Sequence, residues 1–415
     1  MSELARFSLA DPETATCPFG YYRAMQREAP VHRDPKLGMY LVTRYEDIAK
    51  ALRDPVVFSR EAGFAVQARR PWDDELDALM TREGYGPFQL ATWDPPRHTK
   101  MRALMDKAFD VERVKAIEPV VAVLVDELID ALAPGETADW VARFAVPIPI
   151  FVIADALGID RGRLDDFKRW SIAAVEPLGG LVSKEREFEC AREMVALQHY
   201  LKSEIEARRE RPRDDLISGL VHARLDDGST LDLGELFSVI RAFLVAGNET
   251  TTNAIASGLL RLACDPALVD RMRSEADVER ALFLLGEEVL RLESPVPGLP
   301  RMTTADVELG GVTIPKGSHV LLCYAAANRD EARFPEPERL DPGRRNAMQH
   351  LAFGSGIFRC IGATLARMEI KGALRAAIGR LDGLALAVPA SELRYGPSLV
   401  TRGLLSLPLC YRARR

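Results

Sequence analysis

Long apolar runs are missing from this chain. No window approaches the ~20 consecutive apolar residues a helix needs to cross a bilayer, and the opening MSELARFSLADPETATCPFG has no basic stretch leading into an apolar one. Cysteine is sparse and scattered: Cys17, Cys190, Cys264, Cys323, Cys360 and Cys410 form no CxxC pair and no close Cys/His cluster. That argues against a zinc site or a disulfide framework and for a reducing, cytoplasmic setting. Neither sign of charge predominates, with 55 Lys and Arg against 61 Asp and Glu. A formal net charge of −6 over 415 residues gives no global attraction to nucleic acid or anionic lipid, so any cationic docking surface must be a local patch. Repeats and low-complexity tracts are lacking. What remains is a composition 47% hydrophobic and 28% charged, that of a globular protein able to bury a large core.

Length alone suggests two or three domains. The Pro-rich breaks at 94–96, 147–149, 294–300 and 334–342 are too short to be linkers, so a single domain over 1–415 is expected. Apolar residues three and four apart predict helices over 111–132, 184–211, 233–264 and 278–292. Shorter β-type runs at 39–43, 307–314, 319–323 and 404–411 lie between Gly and Pro. The fold class is mainly α with small β-sheets.

Four segments carry chemistry. In Phe353-Gly354-Ser355-Gly356-Ile357-Phe358-Arg359-Cys360-Ile361-Gly362, a Gly-rich turn enters a helical run from Ala363 to Ile378. Backbone N–H groups and the positive end of that helix stabilise a thiolate at Cys360, and the glycines let backbone approach a flat cofactor. A lone cysteine is otherwise an inert core residue. Ala246-Gly247-Asn248-Glu249-Thr250-Thr251-Thr252 puts a Gly and three β-branched residues into a helix interior, where they disfavour the helix. Glu288 and Arg291, three apart, share a helix face and can pair. His98 and Arg102, four apart after Asp94-Pro95-Pro96, do the same.

These segments, in their order along the chain, resemble those of the cytochrome P450 family in its bacterial soluble form, and the resemblance covers almost the whole chain. It implies the P450 fold, a triangular helical domain with a minor β-rich region, and haem b, with iron bound by Cys360. Phe353, Gly354 and Gly362 would then contact the cofactor. Gly247, beside Ala246, would leave space for dioxygen. Thr250 would hydrogen-bond it, and Glu249 would relay protons from solvent. Glu288, Arg291 and Arg339 would lock the core beneath the haem, and His98, Arg102 and Arg301 would bind its propionates. The chain departs from the family pattern at Phe358, where the family usually has His or Arg as a propionate partner.

By family position, Phe243, Leu244, Ala246, Val296, Pro297, Leu299, Val400 and Thr401 would line the pocket, and their apolar character suggests an apolar or aromatic substrate. The run 61–91 would be a variable lid. Arg69 and Arg70 within it are read as solvated charges, with a substrate carboxylate as the second possibility. No flavin or iron–sulfur motif is present, so electrons would come from a ferredoxin-type donor with a separate NAD(P)H-dependent reductase. Lys100, Lys107, Arg113, Arg359 and Arg367 are candidates for its docking. The expected reaction is monooxygenation, hydroxylation or oxidative demethylation. The alternatives are a peroxide-driven haem-thiolate enzyme, against which Glu249 and Thr250 argue, and a non-catalytic haem-binding protein.

Overall fold

The computed structural model describes residues 3–65, 71–88, 92–109, 111–179, 183–396 and 398–414. They fall into two compact units. The first comprises Met1–Phe64, Val121–Pro147 and Thr250–Arg415; the second comprises Ala65–Val120 and Ile148–Glu249.

All ten strands among the described residues belong to the first unit: β1 (Val31–Arg33), β2 (Tyr40–Val42), β3 (Phe58–Ser59), β4 (Ala138–Asp139), β5 (Leu299–Thr303), β6 (Val307–Leu309), β7 (Val312–Ile314), β8 (His319–Leu322), β9 (Leu381–Leu386) and β10 (Pro408–Ala413). A five-stranded sheet runs β1-β2-β8-β5-β3, a three-stranded sheet β4-β10-β9, and β6-β7 is a hairpin. Gly310 and Gly311 form the hairpin turn with φ of 56° and 79°, a conformation glycine adopts without steric cost. Apolar faces of the large sheet (Val31, Val42, Val320, Leu322) pack on Ile48, Ala51 and Leu52 of helix Tyr45–Arg53, which removes their side chains from water.

The 278–292 expectation corresponds to helix Val278–Glu293, started by the Asp277 side chain accepting from Arg280 N at 3.0 Å. Helix Ala363–Arg380 packs on it. The run 111–132 is two helices, Val111–Ala116 and Glu118–Asp130. The last β-type run begins as an isolated bridge, Tyr395 to Leu404, and becomes a strand only at Pro408.

The second unit is helical. Helix Lys184–Glu210 packs against Asp73–Glu83, Leu164–Val175 and Leu216–His222. Its polar ties are specific: Gln198 accepts from Tyr85 N at 3.0 Å and donates to Gly86 O at 2.7 Å. Buried Arg208 pairs with Asp215 at 2.9 Å. The unit boundary falls inside the longest helix, Leu233–Cys264, between Glu249 and Thr250. That helix continues through 246–252 without a break. Asn248 donates to Ser171 Oγ at 2.6 Å and Thr252 to Ala145 O at 3.3 Å, so tertiary bonds offset the low helix propensity of this stretch.

Candidate active site

In the first unit the Cys360 loop is built by its glycines. Gly354 and Gly356 both have φ of 65°, and a Cβ on Gly356 would stand 3.0 Å from Leu52 O, so both the turn and its close seat on helix Tyr45–Arg53 require glycine. The loop closes on itself through Cys360 N to Phe353 O at 2.9 Å, and the following helix starts with Ala366 N to Gly362 O, also 2.9 Å. Cys360 is exposed at this helix start. A Cβ added to Gly362 would lie 4.0 Å from its Sγ. Other thiols are in poor settings for a thiolate: burial pushes Cys323 up to about 12 and raises Cys190 and Cys264.

Phe353 is held from the side. The Arg367 guanidinium lies 4.5 Å from its ring centroid and the His350 ring 5.7 Å away. Arg367 is itself bound by both oxygens of Glu287, at 2.8 and 2.9 Å. Burial would raise the Glu287 carboxyl, but His350 and Arg367 outweigh it and bring it down to about 2.

Arg301 lies on β5 and is only 2% exposed. Its Nη1 donates to Pro300 O at 2.8 Å, and among the described residues no carboxylate pairs with it. Its guanidinium lies 5.5 Å from the ring of Phe358, and Arg60 lies the same 5.5 Å from that ring. The strand register explains the pairing: Ser59 is opposite Met302, so Arg60 follows β3 level with Arg301. Gly63 permits the approach, since a Cβ there would stand 2.6 Å from Arg301 Cα. A buried cation without a carboxylate needs an anion to offset its desolvation. A haem, with two propionates, fits this donor set next to an accessible cysteine. Arg60 was not legible as a candidate because its relation to position 358 is tertiary.

The Glu288 cluster corrects one expectation. Arg291 grips Glu288 with Nε at 2.7 Å and Nη2 at 3.0 Å, and the third side chain is Arg344, 3.1 Å from Glu288. The Arg339 side chain is instead 60% exposed and turned to Glu336 at 3.2 Å. Only its carbonyl takes part, accepting from Arg291 at 3.0 Å and Arg344 at 3.2 Å. The turn 335–339, with Glu336 at φ 50°, aims the Arg339 backbone inward and its side chain to solvent.

Two apolar segments of the first unit lie side by side: Arg402 N bonds Pro295 O at 2.9 Å. This brings the half-buried Val400 and Thr401 alongside Val296, Pro297 and Leu299, of which Pro297 is buried.

In the second unit His98 and Arg102 share one face of helix Arg97–Ala108. His98 is 6% exposed, and Arg102 Nε pairs with Asp106 at 2.8 Å. On the long helix, Ala246 is exposed and Gly247 and Glu249 are half-buried, as is Thr250 in the first unit. A Cβ at Gly247 would meet no protein atom within 4 Å. Leu244 is fully buried, and Phe243 packs on Phe109 with centroids 5.2 Å apart. Ala242 and Val245, which sequence reasoning passed over, are half-buried as well. Arg69 and Arg70 lie outside the described residues, as do 66–68 and 89–91 of the expected lid. The concavity of about 720 Å³ lined by Asp160, Arg163, His199 and Tyr200 contains none of these candidates.

A family model described as Cytochrome P450 matches residues 42–281 and 286–382. Cytochrome P450 107B1 of Saccharopolyspora erythraea is 37% identical, with 93% of each chain covered. The 6-deoxyerythronolide B hydroxylase of the same organism is 35% identical, with 94% of each covered. The solved structure of cytochrome P450 CYP109Q5 from Chondromyces apiculatus superposes with a TM-score of 0.85 at 36% identity, covering 98% of both chains. The chain belongs to the cytochrome P450 family and is a haem-dependent monooxygenase of small-molecule substrates.

Proposed function

We propose that Cys360 would hold the haem iron through its thiolate in a monooxygenase that acts on an apolar or aromatic substrate and receives its electrons from a ferredoxin-type donor served by a separate NAD(P)H-dependent reductase. The observation that carries the ligand assignment is the exposed Cys360 at the start of helix Ala363–Arg380, where amide N–H groups stabilise a thiolate. Phe353, Gly354 and Gly362 shape the contact with the cofactor. Arg301 and Arg60, each 5.5 Å from the Phe358 ring, would hold propionate charge in the first unit. His98 and Arg102 keep the same role in the second by their match to the family motif. Haem, when bound, supplies the activation of dioxygen and the transfer of one oxygen atom into a C–H bond. Glu249 would take protons from solvent and the Thr250 hydroxyl would pass them on, a short relay of the kind proton-coupled chemistry needs. Ala246 and Gly247 keep the helix surface low there.

By their match to family positions, Phe243 and Leu244 in the second unit and Val296, Pro297, Leu299, Val400 and Thr401 in the first are largely apolar and favour such a substrate. We retain the reading of one domain over 1–415 and of a cytoplasmic protein; among the described residues no helix is long and apolar enough to cross a membrane. The test is turnover of a panel of apolar and aromatic compounds. Product with dioxygen, ferredoxin, reductase and NADPH, diminished about tenfold or more in Thr250→Ala, is expected. Product with peroxide alone and none with the ferredoxin system would overturn the reading in favour of a peroxide-driven enzyme.

A further inference from the structure

Arg241 stands on the long helix, four residues before Val245 and eight before Glu249. Residues at this spacing line one face of a helix, so Arg241, Val245 and Glu249 form a single row, its two ends ~12 Å apart along the axis. All three are half-buried. The Arg241 Nε is shut off from solvent and has no hydrogen-bond partner among the described residues. Its Nη2 reaches only Ala174 O, at a long 3.4 Å. The guanidinium lies 5.4 Å from the ring of Phe88, and Phe88 packs on Phe237 at 6.3 Å.

No carboxylate among the described residues pairs with Arg241. Glu176, two residues after the Ala174 contact, is engaged with Arg186 at 2.7 Å, and Glu235, six residues before Arg241, with Arg97 at 3.6 Å. Burial alone shifts Arg241, and it shifts it downward, as expected for a cation withdrawn from water without an anion to offset the loss. Nearby aromatic rings attract the cation by their faces but satisfy none of its N–H donors.

We propose that Arg241 binds an anionic group of the substrate, and that the substrate is an apolar or aromatic molecule bearing one carboxylate. The proposal rests on the reading of this helix face as the one turned to substrate. An arginine presents a planar fork of donors that matches a carboxylate in two parallel hydrogen bonds. The row then orients the ligand, with its acid end at Arg241, its body along Val245 and its oxidised end toward Glu249. Arg241 is a specificity-determining residue in this arrangement.

The experiment titrates the haem-loaded protein with arylalkanoic acids of increasing chain length and with their methyl esters, following the visible spectrum for displacement of water from the iron. Wild type is expected to bind at least one acid about tenfold or more tighter than its ester. Arg241→Met should abolish that preference while leaving ester affinity and haem content unchanged, and Arg241→Lys should restore part of it. The proposal is overturned if esters bind as well as acids throughout the series, if no acid binds, or if Arg241→Met keeps the preference. A purified protein without haem would overturn the underlying reading instead.

Discussion

At the scale of single residues, charge without a partner is the informative signal. Arg301, 2% exposed and without a carboxylate partner among the described residues, is costly unless an anion arrives, and Phe358, whose ring lies 5.5 Å from both Arg301 and Arg60, occupies the position where the family usually has a cation. Arg301→Ala should therefore speed haem transfer to apomyoglobin by about tenfold or more, and Arg60→Ala should do so to a smaller extent. Phe358→His should recover part of the loss in Arg60→Ala. Transfer rates equal to wild type in all three would contradict these roles. Cys360 was legible from its flanking glycines because local backbone geometry demands them. Arg60 and Arg241 were not, since a lone arginine carries no spacing signal and each acquires its meaning from rings brought near by tertiary packing.

Elements were read more fully than the contacts between them. Helices with strong three-and-four spacing, such as Val278–Glu293, were predicted to within a residue or so, whereas the 111–132 run concealed a break near Ile117. The Glu288 cluster shows why contacts are harder: the sequence places Arg339 and Arg344 in one turn-rich segment, and only the direction of each side chain decides which one is buried. Arg344→Ala leaves Glu288 short of a buried partner and should cost ~3 kcal/mol in urea unfolding. Arg339→Ala, which removes an exposed pair, should change stability by less than ~0.5 kcal/mol. The reverse order would restore Arg339 to the cluster.

Glu287 joins the same helix to the Cys360 loop through Arg367. Its carboxyl is lowered from the ordinary 4.5 to about 2, so its contribution to stability is full above 4.5 and is lost as the pH falls from there toward 2. Unfolding midpoints measured across this range should show a smaller acid-side decline in Glu287→Gln than in wild type. An identical decline would mean that the Glu287 carboxyl is held no lower in the folded protein than in the unfolded chain.

For the whole molecule, the order of the four motifs along the chain carried the family assignment, since each motif alone is short. The lack of linkers predicts one domain despite the chain length, so the haem-loaded protein should unfold in a single calorimetric transition with matching calorimetric and van't Hoff enthalpies. Two resolved transitions would divide it. Substrate and electron donor were legible only as classes, because pocket shape and surface charge arise from residues far apart in sequence. The most direct test of the central claim is the visible spectrum of the reduced protein under carbon monoxide. A Soret band shifted to long wavelength by a thiolate opposite the carbon monoxide, and lost in Cys360→Ala, is predicted. A haem band without that shift in the wild-type protein would contradict Cys360 as the axial thiolate.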